Sequence, residues 1–165
     1  MFIKLASLKD IPTIETLAWS IWPVAYKNII SPAQIDYMLG LMYRSKALQE
    51  QMDKGHQFII AIDDAEKAIG FASFSKKENV ANTIFRLNKI YVLPNQLTKR
   101  IGTALLNFIL ENIKNKQATI LELNVNKQNP AITFYKKNGF TILKEEIIDI
   151  GNDFIMDDYV MQKLI

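Results

Sequence analysis

The stretch YVLPNQLTKRIGTALL, from Tyr91 to Leu106, decides how this chain is read. Its first residues suit a strand, and Pro94 closes that strand. After a polar loop, Ile101, Leu105, Phe108, Ile109 and Ile113 recur at helical spacing, so an amphipathic helix starts near Ile101. Lys99 and Arg100 then fall in its first turn. A helix N-terminus carries about +0.5 charge, so each cation there costs some tenths of a kcal/mol unless an anion is bound. Lys114 and Lys116 stand at the other end, where cations help. A bound phosphate accounts for the first pair, because free amides converge on it and the side chains add charge.

A second stretch, NPAITFYKKNGF, runs from Asn129 to Phe140. Asn129 is a helix cap, Pro130 suits the first helical position and Gly139 suits the end. The short helix between them carries Tyr135. The rest of the chain supplies a frame for these two motifs. Residues 2–6 read as a strand. Asp10 caps a helix with Ile14, Leu17, Ala18 and Ile21 on its apolar face, and Pro23 is expected to interrupt it. Ser31-Pro32 opens a second helix, and residues 45–53 form a third that ends near Gly55. Residues 57–62 and 68–75 are apolar runs around a polar turn, a hairpin. Strands follow at 83–93 and 119–125, with the long helix between them. Residues 140–150 and 154–164 are the last two strands.

This order describes a mixed α/β layout with a mostly antiparallel sheet. One helical crossover joins the strands at 83–93 and 119–125, which makes that pair parallel. With 165 residues, 49% of them hydrophobic, the chain is expected to form a single domain over residues 1–165. It has no cysteine, which excludes disulfides, zinc-thiolate sites and a thiol nucleophile. No metal site is expected. No apolar run approaches the ~18 residues that span a membrane, and no signal-peptide core is present. A cytoplasmic protein, monomer or homodimer, without membrane or nucleic-acid partners is the expectation. The net charge of +3 is unevenly spread: residues 145–162 hold Glu145, Glu146, Asp149, Asp153, Asp157 and Asp158 and no base. A basic body suits an anionic cofactor, and an acidic C-terminal stretch suits a cationic substrate. Two solvated faces are the plain alternative.

Together the two motifs, in this order of elements, resemble the GNAT N-acetyltransferase superfamily. The resemblance implies the GNAT acyl-CoA N-acyltransferase fold, whose central parallel pair splays to admit the cofactor. It also implies transfer of acetyl from acetyl-CoA to a primary amine by direct attack in a ternary complex. The family's pyrophosphate loop has the form Q/R-x-x-G-x-G/A. Here Leu97, Thr98, Lys99, Arg100, Ile101 and Gly102 occupy it, with Thr103 following. Gly102 matches, Leu97 replaces Gln or Arg, and Arg100 replaces the first Gly. The loop keeps its amides if Arg100 stays right-handed; a left-handed requirement costs roughly 1–2 kcal/mol. In the family the main chain of the preceding strand pairs with the pantetheine arm, which assigns Ile90, Tyr91 and Val92.

The second motif resembles the GNAT segment N-x-x-A-x-x-F-Y-x-x-x-G-F, with Ala131, Phe134, Tyr135, Gly139 and Phe140 in register. The Asn position falls on Gln128, with Asn129 one residue later; Asn129 is preferred as the coenzyme contact. Lys137 completes the implied cofactor set. The resemblance places Tyr135 by the sulfur, as the acid that protonates the departing thiolate. Relatives often carry a carboxylate base on the strand before the loop, but Arg86-Leu87-Asn88-Lys89 has none. Glu122, Asp149, Asp157 or a water chain could take that role; His56, the only histidine, reads as a surface strand start.

For the acceptor, the family position implies a pocket between the first helices and the last hairpin. Trp22, Tyr26, Asp149 and Asp157 are its candidate residues. IxPAQIDYML (from Ile30) and GxxxxxxDxVMxKLI (from Gly151), the chain's end, are similar to PaiA-type spermidine/spermine acetyltransferases. A polyamine or other small cationic amine is therefore the expected acceptor. A protein or peptide amine, and a degenerate acyl-CoA-binding sensor, are the alternatives.

Overall fold

The structure is a computed structural model that describes residues 1–78 and 83–165, and residues 98 and 99 by their backbone alone. A seven-stranded sheet runs through it in the order β1-β2-β3-β4-β5-β7-β6. Its strands are β1 (Phe2–Leu5), β2 (Gln57–Ile62), β3 (Ala68–Lys76), β4 (Ile84–Val92), β5 (Ile120–Asn126), β6 (Thr141–Gly151) and β7 (Phe154–Leu164). Among the described strands β4 and β5 form the parallel pair, as the crossover requires, and the other pairings are antiparallel. The expected mixed sheet and its crossover are what the chain forms.

Helices α1 (Ile11–Ala25), α2 (Pro32–Tyr43) and α3 (Ser45–Asp53) cover one face, and α4 (Ile101–Lys114) and α5 (Ala131–Lys137) cover the other. Each face holds its own core. Ile14, Leu17, Ile21, Leu39 and Leu48 pack with Phe58, Ile60 and Phe71 beneath α1–α3. Ile101, Leu105, Leu106, Ile109 and Ile113 pack with Ile59, Phe74, Leu121 and Leu123 beneath α4. The 3.6-residue period of α4 and the two-residue period of β2 place these side chains without further help.

Two local expectations change. Pro23 does not interrupt α1, which continues to Ala25. A proline this near a helix end removes one hydrogen bond from a turn about to terminate, and the Tyr26 amide still reaches the Trp22 carbonyl at 3.0 Å. Second, β4 is not a regular strand. Ser73 is opposite Lys89 and Phe74 is opposite Leu87, so Asn88 is an extra residue. A bulge of this kind reverses which parity faces which side. Phe85 and Leu87 join the core under α4; past Asn88, Val92 does so, while Tyr91 packs against the α1–α3 core. Lys89 turns the same way as Tyr91, its Nζ lying 5.5 Å from the Tyr43 ring and 5.8 Å from Phe58.

Candidate active site

β4 and β5 hydrogen-bond only from Ile84↔Ile120 to Arg86↔Glu122. Both strands then continue, β4 to Val92 and β5 to Asn126, without pairing. The outer edge of β4 is satisfied by β3. Its inner edge past Arg86 therefore offers free main-chain groups to an extended ligand, in the manner of an added strand. The gap opens into a cleft of about 850 Å³, and Ile90, Tyr91 and Val92 line it. A gap in a sheet interior strands backbone donors and acceptors, so a fold that keeps one has a use for it.

The start of α4 forms the next part of the wall. The Ala104 amide donates to the Arg100 carbonyl at 3.0 Å as the helix opens, and the first-turn amides before it have no partner within the helix. Leu97, Arg100, Gly102 and Thr103 line the cleft. Arg100 caps the helix in the left-handed region, at φ 56 and ψ 22. The right-handed conformation in which the loop would keep its amides at no cost is thus not the one adopted. The side chain occupies a conformation that the family's glycine takes freely, at roughly 1–2 kcal/mol. Such strain concentrates at functional sites. A Cβ at Gly102 would make an ordinary contact with the Phe134 ring, at 3.5 Å. The expected contribution of the Lys99 and Thr98 side chains lies outside the described residues.

Across from this loop stands α5. The Asn129 side chain accepts the Ala131 amide at 2.9 Å and so fixes the helix entry, with Pro130 as the capping residue rather than the first helical one. Gly139, at φ +85, ends the helix in a conformation suited to glycine. Tyr135 is buried, its ring held edge-on by Phe134 and Phe140 at centroid distances of 5.4 and 5.7 Å, and it lines the cleft. Burial pushes its phenol well above the ordinary tyrosine range, so at neutral pH it carries its proton.

The facing wall is aromatic. Trp22 stacks on Tyr26 at 4.3 Å and approaches Tyr43 at 5.5 Å and Tyr91 at 5.8 Å. The Tyr26 and Tyr91 hydroxyls are 3.0 Å apart, and burial holds both phenols protonated. Beside these rings, on β7, is Asp158, 4% exposed and lining the cleft. Burial pushes its carboxyl up to about 6. Among the described residues, the cations Arg86, Lys89 and Arg100 also line the cleft. Arg86 donates to Asn124 Oδ1 at 2.6 Å, and Lys89 donates to Gln51 Oε1 at 2.6 Å. Burial, then the nearby Arg86, lowers Lys89 to about 8.

A family model, the acetyltransferase (GNAT) domain, matches residues 28–157. The chain belongs to the GNAT acetyltransferase family. It is an acetyl-CoA-dependent N-acetyltransferase. A crystal structure of the PaiA N-acetyltransferase from Thermoplasma acidophilum in complex with coenzyme A superposes with a TM-score of 0.82 at 26% identity, covering 100% of each chain. A GNAT protein from Rhodopseudomonas palustris follows with a TM-score of 0.81 at 16% identity, over 99% of this chain and 95% of that one. The Escherichia coli ribosomal-protein-S18-alanine N-acetyltransferase shares the fold with a TM-score of 0.74 at 17% identity, over 99% and 93%. No curated protein matches the sequence. No helix among the described residues is long and apolar enough to cross a membrane.

In this acetyltransferase the cleft brings together Ile90, Tyr91, Val92, Leu97, Arg100, Gly102, Thr103, Asn129 and Tyr135 with Trp22 and Tyr26. It does not include Ile101, which is buried in the core under α4, nor Gln128 and Lys137, which are exposed. Asp149 and Asp157 also lie outside it. Asp149 accepts the Gly151 amide in its own hairpin turn, and Asp157 pairs with Lys127 at 2.7 Å. Strand alternation explains this: Asp157 and Asp158 are neighbours and point to opposite faces, so only one can enter the cleft. Glu122 is absent from the cleft as well, neutralised by Lys77 at 2.7 Å. His56 stands just before β2, outside the cleft, and burial lowers its pKa. Sequence reasoning missed Asp158, Lys89 and Tyr43. The acidic stretch held the signal for Asp158, but its parity became readable only once the β5–β7 register was fixed.

Proposed function

We propose that this acetyltransferase modifies a small cationic primary amine, with a polyamine as the leading acceptor, through a ternary complex. The observation that carries the reading is the separation of β4 and β5 past Arg86, which leaves an extended cleft with a helix N-terminus at one end and an aromatic wall at the other. Residues on the first side fit coenzyme A. The amides at the start of α4 with Arg100 suit its pyrophosphate, the free edge of β4 suits its pantetheine arm, and Asn129 lines the same cleft. Bound there, acetyl-CoA supplies an acyl group on a good leaving group. Tyr135, protonated and held by its ring contacts, is placed to give a proton to the departing sulfur.

The second side suits an ammonium. Rings of Trp22, Tyr26 and Tyr43 favour a cation over their faces, and Asp158 supplies one negative charge among them. The resemblance of the chain's end to PaiA-type enzymes favours a polyamine. So does the acidic character of the β6–β7 hairpin, whose field favours a polycation at longer range although Glu145, Glu146 and Asp149 each have a partner already.

The test is an acceptor screen. Purified protein with acetyl-CoA is offered spermidine, spermine, a monoamine of similar length and a peptide amine, and thiol release is followed. Turnover should be fastest with the polyamines, and added salt should raise their KM more than that of the monoamine. Preference for the peptide would replace the acceptor class. Tight acetyl-CoA binding with no amine-dependent thiol release would make the domain a sensor.

A further inference from the structure

We propose that Asp158 is the general base of this acetyltransferase, taking the place of the carboxylate that β4 lacks; this rests on the amine-acetylation reading above.

Three observations converge on it. Asp158 is the one carboxylate among the described residues that lines the cleft. It is 4% exposed and its Oδ1 has no hydrogen-bond partner, so the fold keeps a buried carboxylate oxygen that no protein group satisfies. Leaving such a group bare is costly, and an incoming ammonium removes the cost. The other nearby carboxylates are already engaged: Glu122 with Lys77, Glu145 and Asp157 with Lys127, and Glu146 with Asn124.

Position agrees with this role. Asp158 pairs in register with Asn126 of β5 and with Glu146 of β6. It therefore stands at the open end of β5, where that strand has left β4, on the same face as Asn124 and Asn126. Tyr135 reaches the cleft from α5 beyond β5, and the aromatic wall reaches it from α1.

The proton balance closes. An ammonium sheds one proton before its lone pair is free and a second once its nitrogen is bonded to the acyl carbon. Asp158, as carboxylate, takes the first and releases it to solvent. The C–N bond forms and the C–S bond breaks. Tyr135 gives its proton to the sulfur and regains one from the nitrogen's second proton. The charged groups that act on Asp158 are Glu146 of β6 and, from the opposite face of its own strand, Asp157, which disfavour its ionisation, and Arg86 of β4, which favours it. Tyr26 of α1 faces it too and stays protonated.

The experiment is Asp158→Asn, with three readouts. Turnover of the best amine should fall roughly 10²–10⁴-fold. The wild-type rate should decline as pH drops through about 6, as the carboxylate is protonated, and this limb should vanish in the variant. In the apo protein, carbon NMR of labelled aspartate should show one carboxyl titrating near that pH in wild type and missing in the variant. Acetyl-CoA affinity, read by calorimetry, should not change. The variant should fold: a carboxyl whose pKa is raised by folding favours the protonated native state, so deleting it raises Tm above pH 6 and changes little below pH 4. Should it not fold, Asp158→Ala with and without formate takes its place, and formate-dependent turnover supports the role. Near-normal turnover in a folded Asp158→Asn with the acidic limb retained, or no effect of formate on Asp158→Ala, overturns it. A wild type that binds acetyl-CoA and acetylates no amine removes the parent reading and the base with it, a result distinct from loss in the variant alone.

Discussion

On the α4 side the cleft is made largely of main chain: the free edge of β4, the free amides at the start of α4, and a glycine that gives room beside Phe134. On the α1 and β7 side it is made of side chains: Trp22, Tyr26 and Tyr43 from two helices, Tyr91 from β4, and Asp158 from β7. The first wall tolerates changed letters. Arg100 stands where the family has glycine, adopts the left-handed conformation anyway, and the amides remain. The second wall tolerates little, because each ring or carboxylate is itself the contact. Under the proposed function, a cofactor shared by a family is held by geometry, and an acceptor particular to one member is held by chemistry.

The comparison is tested hardest at Tyr135, a side chain on the main-chain side. Tyr135→Phe keeps the ring contacts with Phe134 and Phe140 and deletes the hydroxyl. Turnover under chemistry-limited conditions should fall roughly 10²–10⁴-fold. Acetyl-CoA affinity should change little, because the lost interaction acts in the transition state. Normal turnover would remove Tyr135 from the reaction.

Gly102 tests the main-chain side itself. Gly102→Asp brings a carboxylate to the free amides and competes with the pyrophosphate. Calorimetry should show acetyl-CoA binding weakened at least tenfold, about 1.4 kcal/mol. Gly102→Ala is the control. Its Cβ makes an ordinary contact with Phe134, so affinity should hold within a few-fold. Equal loss in both would make crowding, not charge, the cause; no loss in either would move the cofactor away from α4.

The smallest effects are expected from acids outside the cleft. Asp149→Asn should change KM for spermidine less than two-fold, since its side chain serves its own turn. Asp157→Asn breaks an exposed pair with Lys127. It should cost no more than about 1 kcal/mol of stability, with turnover unchanged. A large KM effect from either would draw the acceptor site out along the hairpin and blur the division between the walls.

Much of the fold was legible because the signals are local. The run from Ile101 to Ile113 has one period, β2 has another, and a crossover joins β4 to β5. The glycine at 139 and the asparagine at 129 announce the ends of α5 by turn chemistry. Asn88 was not legible. Nothing in Arg86-Leu87-Asn88-Lys89 marks one residue as extra, since a bulge exists only relative to the strand opposite. That residue turns Lys89 and Tyr91 toward the aromatic wall. Asp157 and Asp158 show the same limit, because parity along a strand has no meaning until a partner fixes the register.

By itself, then, the sequence determined the elements and their order, including the loop that opens α4 and the short helix that carries Tyr135, because helix period, capping residues and motif spacing are properties of neighbours along the chain. Tertiary structure decided where β4 and β5 part, which face Lys89 takes, and which of two adjacent aspartates is buried among the rings. These depend on register, a bulge and desolvation. Each is a relation between segments far apart in sequence, and each came into being only when the sheet closed around the cleft.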